Sequence, residues 1–375
     1  MSKSALKIVM GAMTFGAPGT EGARIHDIQE VEAVLDIFQS HGHNEIDSAR
    51  SYCAGTSEEY LGQIDCKARN LKLDTKYYPN SKIKNVYPDD GAHSHSPADL
   101  RVNLLRSLKA LNTNKLEMWY LHGPDRTVPY EVTLKAVNDL HKEGLFDRFG
   151  ISNYMSWEVA QMVEICKANG YIQPTVYQGL YNAIQRTVEP ELFPCLRKYG
   201  ISFYAFSPLG GGFFTGRYNT LNDQVEKGGR FDPQRIQGQV NLFMHISAPD
   251  QADKGILILS SFKGGGEIYN IYGDEPLMTI QRRYWNDRYF TAISDIRTVA
   301  EAHNLTMTEI ALRWISHHSF LSAEAGDAVI IGASSTQHIA QNLTELEKGP
   351  LPEDVVAALD DAWLSVKVNA TNYWH

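Results

Sequence analysis

HNEIDSARSY (43–52), LKLDTKYY (71–78) and MWYLHGPD (118–125) decide how this chain reads. In each, a short apolar run ends on a polar residue: Asp47, Lys76 and His122, with Tyr52 just beyond Asp47. Read as strands, 45–47, 71–76 and 116–122 are successive, each separated from the next by a helix-like segment. In a parallel β/α barrel the carboxyl ends of the strands converge on one mouth, where active sites are built. Four groups far apart in sequence then meet. A phenol is a poor acid at neutral pH, with an ordinary pKa of about 10. A nearby ammonium favours phenolate, and a carboxylate can hold that ammonium in place. An imidazole can orient a carbonyl or share its proton. Taken singly, each residue has a blander reading: an Asp after a strand is more often a cap or turn former, and a Tyr is usually packing. The force lies in four compatible groups at the same end of three consecutive strands. That is equipment for protonating a carbonyl oxygen while hydride arrives from elsewhere.

The alternation runs along the whole chain. The apolar run 6–10 leads into GAMTFG (11–16). Asp27 is placed to cap a helix over 28–41, where Val31, Val34, Leu35 and Phe38 recur at helical spacing. Ser57 is the expected cap of a helix beginning at 57–61. Pro97 opens the next helix at a first-turn position, where its missing N–H costs nothing. Leu100, Leu104, Leu105, Leu108 and Leu111 form that helix's apolar stripe. Further strands are expected at 146–151, 175–178, 201–206 and 328–331, with helices at 129–141, 157–168, 189–198, 289–303, 307–318, 337–346 and 353–364. Eight strands alternating with helices is the arithmetic of an α/β protein with a closed (β/α)8 TIM barrel. No internal repeat or domain boundary is visible, so 6–375 reads as a single domain. One stretch breaks the count, a long insertion over 232–279 after the seventh strand. It contains FKGGGEIYNIYGDEP (262–276), whose glycines and proline read as loop. Loops of that length inside a compact domain are usually lids or disordered.

Composition narrows the function. A hydrophobic fraction of 43% is ample for a large core, and a net charge of −9 argues against nucleic acid or an anionic membrane as partner. No apolar run approaches the ~20 residues that span a bilayer, and the start of the chain is too short in its apolar part for a secretory signal. Cys53, Cys66, Cys166 and Cys195 show no paired spacing and read as free thiols of a cytoplasmic protein. His41 and His43, His93 and His95, and His317 and His318 lack further ligands at metal spacing, so they read as surface histidines with no metal.

GAMTFG, DSARSYCAGTSEEYLG (47–62), the Thr-Lys at 75–76 and YLHGPD (120–125) resemble the aldo-keto reductases in order and spacing. More narrowly, 151–218 and GDAVIIGASSTQHIAQNL (326–343) look like the aflatoxin-aldehyde reductase subfamily, and the likeness covers roughly 8–230 and 284–342. The resemblance implies a metal-free detoxifying reductase that uses NADPH to turn aldehydes, including dialdehydes, ketoaldehydes or acid-substituted aldehydes, into alcohols. By that likeness Tyr52 donates the proton, Lys76 lowers its pKa, Asp47 pairs with Lys76, and His122 orients the carbonyl. Ser152, Asn153 and Gln178 would hold the nicotinamide carboxamide, and Phe206 would stack on its ring. SPLGGGFFTGR (207–217) would cradle the pyrophosphate on backbone N–H groups, with Ser207, Pro208, Leu209, Gly210, Gly212 and Arg217 at the nucleotide. In GASSTQHIAQN (332–342), Gly332, Ser334, Ser335 and Gln337 would meet the adenosine 2′-phosphate at a helix N-terminus, with Gln341 and Asn342 toward the adenine.

The chain departs from that family pattern at several places. His338 stands where superfamily members often have arginine, and Ser207 replaces the subfamily's usual asparagine. Arg283 matches an arginine that contacts substrate carboxylates, but the tyrosine expected three residues before it is Ile280. The 232–279 stretch is much longer than the subfamily's loop. It reads either as an enlarged lid or as sequence foreign to the mature product, and resumption of the pattern at QRRYW (281–285) leans to the second. Subfamily members are often homodimers, an expectation carried by resemblance alone. The competing function is a nucleotide-binding regulatory subunit of the same fold, without significant turnover; turnover discriminates the two.

Overall fold

The computed structural model describes residues 3–79, 93–226, 229–232 and 283–375, and the backbone of 269–270 and 273–276. Eight parallel strands close into a barrel: β1 Lys7–Gly11, β2 Glu45–Asp47, β3 Lys72–Tyr77, β4 Leu116–Leu121, β5 Phe146–Ser152, β6 Val176–Leu180, β7 Ser202–Phe206 and β8 Ala328–Gly332. Neighbours round the barrel follow chain order, and β8 closes the ring by pairing with both β7 and β1. This is the TIM barrel that the alternation predicts. Strand ends differ from the sequence reading by a residue or two, because the last pairing partner, not the apolar run, decides where a ladder stops.

Helices α1 Ile28–Ser40, α2 Thr56–Leu61, α3 Pro97–Ala110, α4 Tyr130–Lys142, α5 Ser156–Asn169 and α6 Leu192–Tyr199 follow the first strands. After the insertion come α7 Asp287–Ala302 and α8 Met307–His317, then α9 Thr336–Leu346 and α10 Glu353–Val366. Asp27 caps α1, accepting from the Gln29 N–H at 2.8 Å, and Val31, Val34, Leu35 and Phe38 are all buried against the barrel. Two helix expectations need correction. Leu105 is 46% exposed, because it lies off the face that carries Leu100, Leu104 and Leu108. Ser57 is not a cap: α2 starts after Gly55, a left-handed residue (φ 91°), and the Ser57 hydroxyl donates to the Ala12 carbonyl at 2.8 Å.

The insertion leaves the barrel and rejoins it at one place. Phe231, just before it, lies 5.4 Å between ring centroids from Trp285, just after it, and Tyr218 packs on the same indole at 5.0 Å. The two readings of 232–279 fall outside the described residues, apart from the antiparallel pairing of Tyr269–Asn270 with Gly273–Pro276. Among the described residues no helix is long and apolar enough to cross a membrane. No disulfide joins any of the four cysteines.

The surface reading of the histidines fails for three of them. His43, His93 and His95 are buried, His43 against the Phe38 ring and His95 beside Tyr77, where α3 and the β3 end close over it. Burial holds His43 and His95 down at about 4. Unfolded histidine takes a proton near pH 6.5, so acid favours the unfolded chain: stability is full above that pH and falls as pH drops toward 4. We expect Tm to decline across that window, and His95→Gln to flatten the decline. Equal slopes in parent and variant would count against buried neutral histidine as the cause.

Candidate active site

Strand alternation puts Asp47 and Lys76 on the inward face near the carboxyl ends of β2 and β3. The Lys76 ammonium, fully buried, donates to both Asp47 carboxylate oxygens at 2.6 Å and to the Ser48 carbonyl at 2.8 Å. It also lies 4.8 Å from the centre of the Tyr52 ring. His122 follows β4, its backbone N–H donating to the Tyr77 carbonyl at 2.9 Å. Its ring meets Tyr52 edge-on at 6.0 Å between centroids. The three strand ends and one loop thus bring all four residues together.

Tyr52 reaches the site through a short, unusual loop. Cys53 (φ 49°) and Ala54 (φ 52°) are left-handed, a conformation that costs non-glycine residues of order 1 kcal/mol each. Side-chain bonds hold the loop from both sides. Arg50 donates to the Gly55 carbonyl at 3.0 Å and to Glu58 at 3.1 Å, and Glu58 accepts from the Thr75 hydroxyl at 2.6 Å. Thr56 donates to the Cys53 carbonyl at 2.8 Å, and the Cys53 thiol donates to the Met13 carbonyl at 3.3 Å. Glu58 and Arg50 gave no signal as supports in the sequence, since their partners lie on other elements.

The electrostatics refine the sequence reading. Burial of the Tyr52 hydroxyl pushes its pKa above 10; the Lys76 charge opposes that shift but does not overturn it. Lys76 thus acts on Tyr52 in the lowering direction, and burial outweighs it. Tyr52 is a firmly protonated phenol beside a cation that favours its conjugate base. His122 is held well below the usual histidine value by burial, then by Lys76 and His375, so its ring is neutral near pH 7. A neutral imidazole carries one N–H donor and one acceptor.

The residues expected at a cofactor divide into groups. Ser152, Asn153 and Gln178 adjoin the tetrad. Gln178 donates its amide N–H to Asp47 at 2.7 Å, and Asn153 donates to the His122 carbonyl at 2.8 Å and to the Ser152 hydroxyl at 3.0 Å. Phe206 ends β7 and packs on the interior cluster of Val9, Tyr120 and Tyr204. Beyond it Ser207 (φ 56°), Gly210, Gly211 and Gly212 are all left-handed, and a side chain at Gly212 would meet nothing within 4 Å. Pro208 and Leu209 lie inside this turn, whose Gly212 N–H donates to the Leu209 carbonyl at 3.0 Å. Arg217 is exposed and ion-paired to Glu226. At α9, Ser335 caps the helix by accepting from the His338 N–H at 3.2 Å, and Ser334 pairs with the His338 ring at 2.9 Å. Gly332 faces open space, Gln337 lies in the first turn, Gln341 donates to Glu345 at 2.9 Å, and Asn342 reaches the Gly332 carbonyl at 3.4 Å. Because β8 lies between β7 and β1, the loop after β7 and this helix start are neighbours at the mouth.

The sequence model of the Aldo/keto reductase family matches residues 7–364. The chain belongs to the aldo-keto reductase family. It is 43% identical to an aldo-keto reductase of Pseudocercospora fijiensis, over 91% of this chain and 100% of that protein. It is 41% identical to aldo-keto reductase pigE of Monascus ruber, over 100% and 98%. With aflatoxin B1 aldehyde reductase member 2 of Mus musculus it shares 37% identity, over 98% and 87%. This aldo-keto reductase is therefore an oxidoreductase of aldehydes or ketones, and the family works with a nicotinamide cofactor.

Two features of the reductase's mouth were not read from sequence. The second cation whose charge bears on Tyr52 is Arg230, which also touches the Met13 sulfur at 3.5 Å. Arg283, the expected substrate residue, bears on Tyr284 and Tyr289. The C-terminal His375 sits against the site: the Tyr78 ring lies 5.5 Å from His122 and 6.2 Å from His375, and Arg126 donates to the His375 carbonyl at 3.1 Å. The aromatic NYWH ending was the one available signal.

Proposed function

We propose that this reductase uses NADPH to convert aldehydes, acid-substituted aldehydes among them, to alcohols, with Tyr52 as proton donor. The observation that carries the reading is the Lys76 ammonium, clamped by both Asp47 oxygens and facing Tyr52. Bound NADPH supplies hydride to the carbonyl carbon. As negative charge builds on the carbonyl oxygen, the Tyr52 hydroxyl transfers its proton there, and Lys76 stabilises the phenolate left behind. Asp47 keeps the ammonium in place, and a neutral His122 N–H orients the carbonyl oxygen. The residues present suit the cofactor. Ser152 offers a hydroxyl donor, and Asn153 and Gln178 keep amide carbonyls that make no protein bond among the described residues, matching a carboxamide. A helix start with Ser334, Ser335 and Gln337 suits a 2′-phosphate and hence NADPH over NADH.

The direct test is oxidation of NADPH and NADH by purified protein with 4-nitrobenzaldehyde and succinic semialdehyde. We expect turnover with NADPH and a much slower rate with NADH. Tight NADPH binding with no turnover would favour a regulatory subunit. Arg230→Met is expected to raise KM for succinic semialdehyde by roughly 10–100-fold, the value of one charge-assisted hydrogen bond, and to leave 4-nitrobenzaldehyde unaffected. If Arg283→Met produces that selective loss instead, the carboxylate belongs to Arg283.

A further inference from the structure

The barrel interior beneath the tetrad holds a carboxyl that the mechanism does not use. Asp74 points inward from β3, two residues before Lys76, and pairs in register with Asp47 on β2. Both its oxygens are buried, and neither has a hydrogen-bond donor among the described residues. Its neighbours on every strand are accounted for. On β1, Lys7 is ion-paired to Glu45 and donates to the Tyr204 hydroxyl at 2.9 Å. On β2, Asp47 already takes Lys76 and Gln178, and one Glu45 oxygen, Oε1, lacks a donor among the described residues. The Tyr120 hydroxyl of β4 is likewise buried without a partner among the described residues. Arg148 of β5 bears on Tyr204 of β7 first, then on Glu45 and Tyr120. β6 contributes Val176 and Gln178, and β8 Ala328 and Ile330, none of them ionisable. Three inward carboxyls on two adjacent strands thus face Lys7, Lys76 and Arg148, and Asp74 is the one to which none of these cations donates among the described residues.

We propose that Asp74 carries a proton, donates it as a hydrogen bond to Glu45, and acts as a positioning residue that keeps a second negative charge away from Asp47. Lys7 is the one lysine at this pair and is held by Glu45, so a second carboxylate there is unstable, whereas a neutral carboxyl has an O–H to give, and Glu45 Oε1 is an acceptor without a donor among the described residues. Burial, then Glu45 and Asp47, hold the Asp74 proton in place well above the ordinary carboxyl range. If Asp74 ionised, its charge beside Asp47 would make Lys76 and Tyr52 hold their protons more tightly. Tyr52 would become the weaker acid and reduction would slow.

The kinetic part of this inference rests on the reductase reading; the protonation part does not, and it is measured first. Infrared spectra of the parent protein at neutral pH should show a neutral carboxyl band that shifts in D2O, shifts with 13C-labelled aspartate, and is lost in Asp74→Asn. Aspartate labelling separates it from Glu58, Glu189 and Glu345, whose carboxyls are also raised. It also works on the parent should the variant fold poorly. Absence of an aspartate-shifted band, or its survival in Asp74→Asn, would overturn the proposal. In kcat profiles Asp74→Asn should match the parent near neutrality and part from it in the alkaline limb, where the parent's Asp74 loses its proton. A coincident decline would remove the positioning role while leaving the protonated carboxyl. Stability gives a further reading. The unfolded Asp74 releases its proton near pH 4 and the native one does not, so parent stability falls as pH rises above that value. Asparagine has no such loss, so the Tm advantage of Asp74→Asn should grow from pH 5 to 8.

Discussion

Tyr52→Phe is expected to cut turnover of NADPH with 4-nitrobenzaldehyde by roughly 10²–10⁴-fold, the range for loss of a positioned general acid. The ring stays, so its packing against His122 and its place over Lys76 are kept, and only the transferable proton is lost. NADPH binding, followed by quenching of protein fluorescence, should be unchanged, and so should Tm. The pH dependence has a fixed sign. Burial places the Tyr52 hydroxyl above pKa 10, so the acid form is present throughout the neutral range. Parent kcat for reduction should be flat there and fall only in alkali. His122, held well below its usual value, should add no inflection between pH 6 and 8. Turnover surviving within about tenfold in Tyr52→Phe would transfer the acid role to another group, His122 first.

Lys76→Met should damage both catalysis and folding, and the two effects can be separated. The substitution keeps the aliphatic stem and removes a buried cation that donates to both Asp47 oxygens. A buried carboxylate left without its partner costs about 3–5 kcal/mol. The pair's contribution is present below the lysine's unfolded pKa and is lost only as pH rises past its raised native value, so the deficit should appear across the whole neutral range. Adding Asp47→Asn removes the stranded charge and should restore much of the lost stability. Turnover should stay low in the double variant, because no ammonium remains to stabilise the Tyr52 phenolate. Recovery of turnover along with stability would mean that Lys76 serves the fold alone.

The fold and half of the site were legible in local patterns. Parallel barrel strands are buried on both faces and therefore stand out as short apolar runs, and the last polar residue of such a run marks the mouth. Asp47, Lys76 and His122 are found that way. Caps such as Asp27, which need only their own helix, are equally local. The loop that delivers Tyr52 is not: Cys53 and Ala54 adopt left-handed angles because Arg50, Glu58 and Thr75 hold the turn from outside it. A histidine's burial likewise depends on what closes over it, so His95 and His317 look alike as residues and differ in the fold.

The sequence by itself determined the alternation that makes a barrel and the polar residues at the strand ends, because each follows from residue type and spacing along one element. Tertiary structure alone decided which arginine bears on Tyr52, that the Tyr78 ring contacts both His122 and His375, and that Asp74 is the inward carboxyl to which no lysine donates among the described residues. Those outcomes are electrostatic. They depend on distances between groups on different strands and on the water excluded from between them, and neither quantity is written in the spacing of residues along one chain.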